Sequence, residues 1–158
     1  MKRKVICLAL CALLYALCTS GVAQHTGKVL RIGFLDRSTA SGSVLFLDVF
    51  RQELSNLGWV EEKNVSIEYR FAEGKTDRLP ELAAELVRLK VDLIVVSGRA
   101  PGLAAKKASS TIPIVMISFP DPVAAGMVAS LARPGGNVTG LSGLNPELDT
   151  KRLEILRE

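Results

Sequence analysis

Beyond residue 18 the chain has no cysteine: its three, Cys7, Cys11 and Cys18, all lie near the start. Everything downstream therefore lacks disulfides, thiolate nucleophiles and cysteine metal sites. Histidine occurs once, at His25, in a polar stretch read as a flexible tail, so neither a zinc cluster nor a Ser-His-Asp triad is expected. Two phosphate-binding signatures are missing: no GxGxxG follows the first apolar segment, and no GxxxxGK[ST] occurs. There is no GxSxG nucleophile elbow, and no carboxylate pair falls where strands would end. These absences speak against enzyme chemistry and call for no metal or cofactor. No apolar run reaches the roughly 20 residues that a membrane-spanning helix needs.

The first residues are built differently from the rest. Lys2, Arg3 and Lys4 precede an apolar run of 13 residues, Val5 to Leu17, and Gly21-Val22-Ala23 places small residues at −3 and −1 of a cleavage point. That layout predicts a secretory signal peptide over residues 1–23, followed by a flexible mature start at 24–28 and export to the periplasm. Tyr15-Ala16-Leu17 before Cys18 matches a small-residue lipobox poorly, so a lipid anchor at Cys18 is not expected. Three of the 20 cationic residues leave with this segment and none of the 16 acidic ones, taking the net charge from +4 to +1. A basic balance that disappears with the signal gives no case for nucleic acid as a partner.

From residue 29 onward two periods alternate. Val29 to Leu35 is a short apolar run bounded by turn formers and reads as a buried strand. Leu47, Phe50, Leu54 and Leu57 share one helical face, and Gly58 is placed to end that helix. Val65 to Phe71 alternates apolar and polar, as an edge strand with one wetter face does. Asp77 is the expected N-cap of the next helix, with Pro80 in its first turn and Leu79, Leu82, Ala83, Leu86 and Leu89 as its buried stripe. Val91 to Val96 reads as a central strand, Pro101 to Ser109 as a helix and Pro113 to Ser118 as a strand. A helix over Pro122 to Leu131, a strand over Val138 to Leu141 and a helix from Asn145 to Glu158 complete the pattern. The last helix carries no stop signal, so the sequence reads as part of a longer chain.

Strands joined by helical crossovers form a parallel sheet with helices on both sides. The expectation is an α/β protein, a three-layer αβα arrangement with a five-stranded parallel sheet in the order 2-1-3-4-5. In such a sheet, ligands gather outside the carboxyl ends of the strands, near the point where strand order reverses. Ser38, Thr39 and Ser41 follow the first strand, with hydroxyls and amides suited to an anionic group. Gly98 and Arg99 follow the third, where glycine admits a ligand and Arg99 offers a bidentate contact to a carboxylate. Phe119 and Asp121 follow the fourth, for stacking and for an ammonium group, and Ser142 follows the fifth. Arg133 to Asn137 is glycine-rich but precedes a strand, which puts it at the wrong edge of the sheet for a ligand.

Several runs together resemble the ABC transporter substrate-binding protein family that includes tryptophan-binding TrpX-like proteins. They are Ile67 to Gly74, Asp77 to Val87, Thr111 to Met116, Asp121-Pro122-Val123 and Ser130 to Ser142. The resemblance extends over residues 29–158. It implies the N-terminal lobe of a type I periplasmic binding protein, in which two lobes close on a small solute such as an amino acid. The second lobe is absent from this sequence, so weak binding or none is expected of one lobe alone. The implied partners are a small-molecule solute and the permease and ATPase subunits of an importer, with membrane contact only through the permease. Two positions depart from the family pattern. Gly98-Arg99-Ala100-Pro101 stands where glycine-threonine-proline-alanine is usual, and Phe71 stands for a frequent tryptophan. Two other readings remain open on the residues alone: a ligand-sensing input domain of the same fold in a signalling protein, and an exported enzyme of flavodoxin-like architecture.

Overall fold

The computed structural model describes residues 28–142. The expected signal peptide over 1–23, the expected tail at 24–28 apart from Lys28, and the helix predicted from Asn145 lie outside the described residues. Within them the elements are β1 (Leu30–Asp36), α1 (Val44–Asn56), β2 (Val65–Phe71), α2 (Leu79–Arg88), β3 (Leu93–Ser97), α3 (Arg99–Ala108), β4 (Ile114–Phe119) and β5 (Val138–Ser142). Short 3-10 turns at Ser41–Ser43 and Thr76–Arg78 lead into α1 and α2. All four strand pairings are parallel, and the order is β2-β1-β3-β4-β5, as the alternation of periods predicts.

The two faces of the sheet have different cores. On one, Leu35, Ile94, Val96, Ile114, Met116 and Phe119 pack beneath α2 and α3, with Leu79, Leu82, Ala83, Leu86 and Ala105 pointing down. Burying a leucine as completely as Leu86 contributes about 1.5–3 kcal/mol. On the other face Ile32, Phe34, Val65 and Val95 meet Leu47 of α1. Phe34 sits at the centre of a ring cluster, 5.9 Å from Phe46 and 6.1 Å from both Tyr69 and Phe71 between centroids. Strand β2 is outermost, and its alternation follows from that place. Its apolar residues face α1, while Glu68 and Arg70 on the other side join a polar chain, Arg31 to Glu68 at 3.1 Å and Arg70 to Glu85 at 2.7 Å.

Helix α1 ends as its glycine foretells. Gly58 N–H donates to Ser55 O and Trp59 N–H to Leu54 O, the paired bonds of a Schellman motif. Four expectations are corrected. Leu57 is the C-cap of α1 and 75% exposed, because the helix turns away before the stripe reaches it. Asp77 makes no capping bond; it belongs to the 3-10 turn, and α2 begins after Arg78. Residues 122–126 form turns and 127–131 bends and irregular chain, not a helix. Asp121 and Gly126 both take positive φ, 38° and 68°, which interrupts any helical run, and Met127 N–H reaches back to Pro122 O. Phe119 is fully buried beneath α3, so its ring fills the core and does not face a ligand. The turn at Arg133 to Asn137 does lie at the amino ends of the strands: Ile114 N–H bonds Asn137 O, and the Asn137 side chain ties Ser109 O and Ile112 O together.

Candidate functional site

The site begins with connectivity. From β1 the chain crosses over one face through α1, and from β3 it crosses over the other through α3. The adjacent strands β1 and β3 therefore send their loops apart, leaving a crevice at their carboxyl ends. A cleft of about 610 Å³ occupies that place, lined by Asp36, Arg37, Ser38, Gly74, Thr76, Ser97, Gly98, Arg99, Ala100 and Pro101.

The first wall is held by a single carboxylate. Asp36 Oδ1 accepts from the Ser38 amide at 3.1 Å, and Oδ2 accepts from Ser38 Oγ at 2.9 Å and Ser43 Oγ at 2.8 Å. The two hydroxyls also touch each other at 2.6 Å. Ser43 is buried, and its hydroxyl turns to Asp36 instead of capping α1. The outer part of this loop is exposed: Thr39 Oγ1 accepts from Gly42 N–H and pairs with Ser41 Oγ at 3.1 Å.

The second wall is the start of α3. Gly98 has φ 84° and ψ −179°, a conformation that side chains resist, and no atom lies within 4 Å of where a Cβ would be. The chain can therefore turn abruptly from Ser97 into the helix with its first amides at the cleft, where the helix dipole is positive. Arg99, the first helical residue, is exposed there.

The third side comes from the loop after β2. Parallel pairing continues past the strand ends: Ala72 N–H bonds Asp36 O, Glu73 N–H bonds Ser38 O, and Gly74 N–H bonds Arg37 O at 2.8 Å. These bonds bring Gly74 and Thr76 to the crevice.

Of the residues singled out in the sequence, the cleft brings together Ser38, Gly98 and Arg99. Thr39 and Ser41 lie on the outer rim and Phe119 in the core. Asp121 is exposed, its Oδ1 accepting from Ala124 N–H at 3.0 Å. Ser142 lies at a separate hollow of about 280 Å³ beside Met116 and Leu141. Asp36, Arg37 and Ser97 fall in the loops that the strand-end rule selects, Asp36 to Ser43 and Ser97 to Pro101, but were not singled out as ligand residues, and sequence reasoning missed Gly74 and Thr76 altogether. Gly74 and Thr76 needed the β1–β2 register. Another hollow, of about 420 Å³, lies against the amino half of β2 between Arg51, Trp59 and Glu61, away from the carboxyl ends of the strands. Among the described residues no group of three or more His, Cys, Asp or Glu could hold a metal ion.

The family model for ABC transporter substrate binding proteins matches residues 43–158. The chain belongs to that family. A tyrosine-binding protein of Clostridioides difficile is 37% identical over 93 residues, which is 59% of this chain and 27% of that protein. Among solved structures, a Streptococcus pneumoniae domain in complex with L-Trp is 27% identical with a TM-score of 0.67, over 73% of this chain and 39% of the other. An open, ligand-free substrate-binding protein with adhesive properties from Clostridium difficile gives 28% and 0.71, covering 80% and 43%. A conserved domain protein of Vibrio cholerae gives 29% and 0.74, covering 83% and 44%. The chain thus spans less than half the length of each of these family relatives.

Proposed function

We propose that this chain supplies one wall of the solute-binding cleft of an extracytoplasmic binding protein serving an ABC importer. The solute is an amino acid or a related small compound, and it is held without being transformed. One observation carries the reading: in a member of this family, the described crevice at the β1/β3 switch point is an open cleft that gathers Ser38, Gly98 and Arg99. Ser38, Gly98 and Arg99 contact the solute, and Thr39, Ser41, Asp121 and Ser142 stand on the same carboxyl-end rim. A second lobe closes over them, and the closed form docks on the permease, whose ATPase drives release inward. The similarity to a tyrosine-binding protein and to a structure holding L-Trp supports an amino acid as the solute class.

The reading is tested by uptake. Cells lacking the gene are compared with the parent strain for uptake of a panel of radiolabelled amino acids. Loss of at least one, restored by the intact gene, is the expected result. Unchanged uptake of every solute, together with a changed transcriptional response to one of them, would favour a sensory domain and overturn the transport role.

A further inference from the structure

Among the described residues that line the cleft, cationic groups outnumber anionic ones. Its charged lining residues are Asp36, Arg37 and Arg99. Elsewhere four arginines pair with acids, Arg31 with Glu68, Arg51 with Glu61, Arg70 with Glu85 and Arg78 with Glu73, while Arg88 and Arg133 lie away from the cleft without such a pair. Arg37 and Arg99 have no carboxylate partner among the described residues. Asp36 offsets one of the two charges at a distance, but its oxygens are turned to Ser38 and Ser43 and it forms no ion pair with either arginine. A carboxylate has about four lone-pair positions, and three donors are already in place. Glu73, beside Gly74, is held by Arg78 at 2.9 Å.

We infer that this cleft selects a small carboxylate with a net negative charge, a dicarboxylate or an acidic amino acid, over a neutral zwitterion. The inference rests on the solute-binding reading and names its substrate class. A neutral amino acid would give one guanidinium a carboxylate and leave the other unmatched, while the one carboxylate among the described lining residues has most of its acceptor positions taken. A solute with two acid groups meets both guanidinium forks, each capable of two parallel hydrogen bonds. The amides at the start of α3 add to the same preference.

The test is an amide chemical-shift titration of the ¹⁵N-labelled chain with succinate, L-glutamate, L-tyrosine and L-tryptophan, read at Ser38, Gly98 and Arg99. Succinate or L-glutamate is expected to bind about tenfold more tightly than either aromatic amino acid, and more weakly as salt is raised. Arg37→Ala and Arg99→Ala are each expected to weaken succinate binding by about three- to tenfold, with the remaining amide spectrum unchanged. Equal or tighter binding of the aromatic amino acids at these amides overturns the charge preference and leaves solute binding standing. Succinate affinity unchanged in both variants does the same. No shift at these amides with succinate or L-glutamate at high millimolar concentration, where even weak binding by one lobe registers, overturns the charge preference, and the uptake comparison decides the solute-binding reading separately.

Discussion

A methyl group built on Gly102 would lie 2.7 Å from Cε2 of Phe119 and 3.3 Å from the terminal methyl of Met127. Helix α3 rests on the sheet through that contact, and its first turn forms one wall of the cleft. Phe119 has no room to retreat, since the ring is fully buried. Gly102→Ala should therefore overpack the core and destabilise the chain by about 1–3 kcal/mol. Urea unfolding followed by circular dichroism measures this, and an unchanged midpoint would show that α3 can lift at no cost.

Asp36 holds the first wall through Ser38 and Ser43, so its loss should be felt twice. Asp36→Ala removes the carboxylate from the buried Ser43 hydroxyl but leaves it Ser38 Oγ, at a cost of about 0.5–1.5 kcal/mol. It also frees the loop that carries Ser38. Hydrogen exchange at the Ser38 and Ser43 amides should speed up in the variant relative to amides in α2. Equal protection in both proteins would mean that the loop is held by its backbone bonds alone.

Gly98→Ala separates conformation from bulk, because no atom stands within 4 Å of the new methyl group while φ is 84°. The cost should be about 1–3 kcal/mol of backbone strain, with loss of the tight turn into α3. Thermal unfolding and the shift titration of the cleft amides check it together. Wild-type behaviour in both would mean that glycine is not required at this turn.

Acid stability should report on Asp92. The Arg31 amide donates to Asp92 Oδ2 at 2.9 Å and Lys28 reaches Oδ1, and these bonds hold the carboxyl below its ordinary value of 3.8. A depressed folded pKa means that the unfolded chain binds the proton first. The stabilisation is therefore complete above about pH 4 and fades as pH falls through the folded value. Asp92→Asn should lower stability at neutral pH and flatten the acid limb of the curve. An acid limb of unchanged steepness would rule out this carboxyl as its source.

Tyr69 should govern the alkaline side. Burial pushes its phenol above the ordinary 10.0, against the opposing hydrogen bond from Arg51 Nε at 2.9 Å. A raised folded pKa keeps its contribution intact below about pH 10 and removes it as pH climbs through the folded value. Tyr69→Phe should abolish that part of the alkaline loss. Ultraviolet titration of the wild-type chain should show a tyrosine ionising later than a free phenol, and one ionising earlier would contradict the burial argument.

The sequence alone determined the fold class. Strand and helix periods are local, and an apolar run such as Val91 to Val96 admits few places other than the middle of a covered sheet. The parallel order followed from connection length and handedness, neither of which needs side-chain detail. Ser38, Gly98 and Arg99 were legible for the same reason, as they sit at strand ends. Tertiary structure alone decided the rest. Whether Phe119 faced a ligand or the core depended on α3 settling over it at Gly102, a contact between distant parts of the chain. Gly74 and Thr76 joined the cleft only through the β1–β2 register. The conformations of Asp121 and Gly126 replaced the helix expected over Pro122 to Leu131 with turns, although its composition suits a helix. Local propensity is a matter of tenths of a kcal/mol per residue, and packing against a particular neighbour outweighs it.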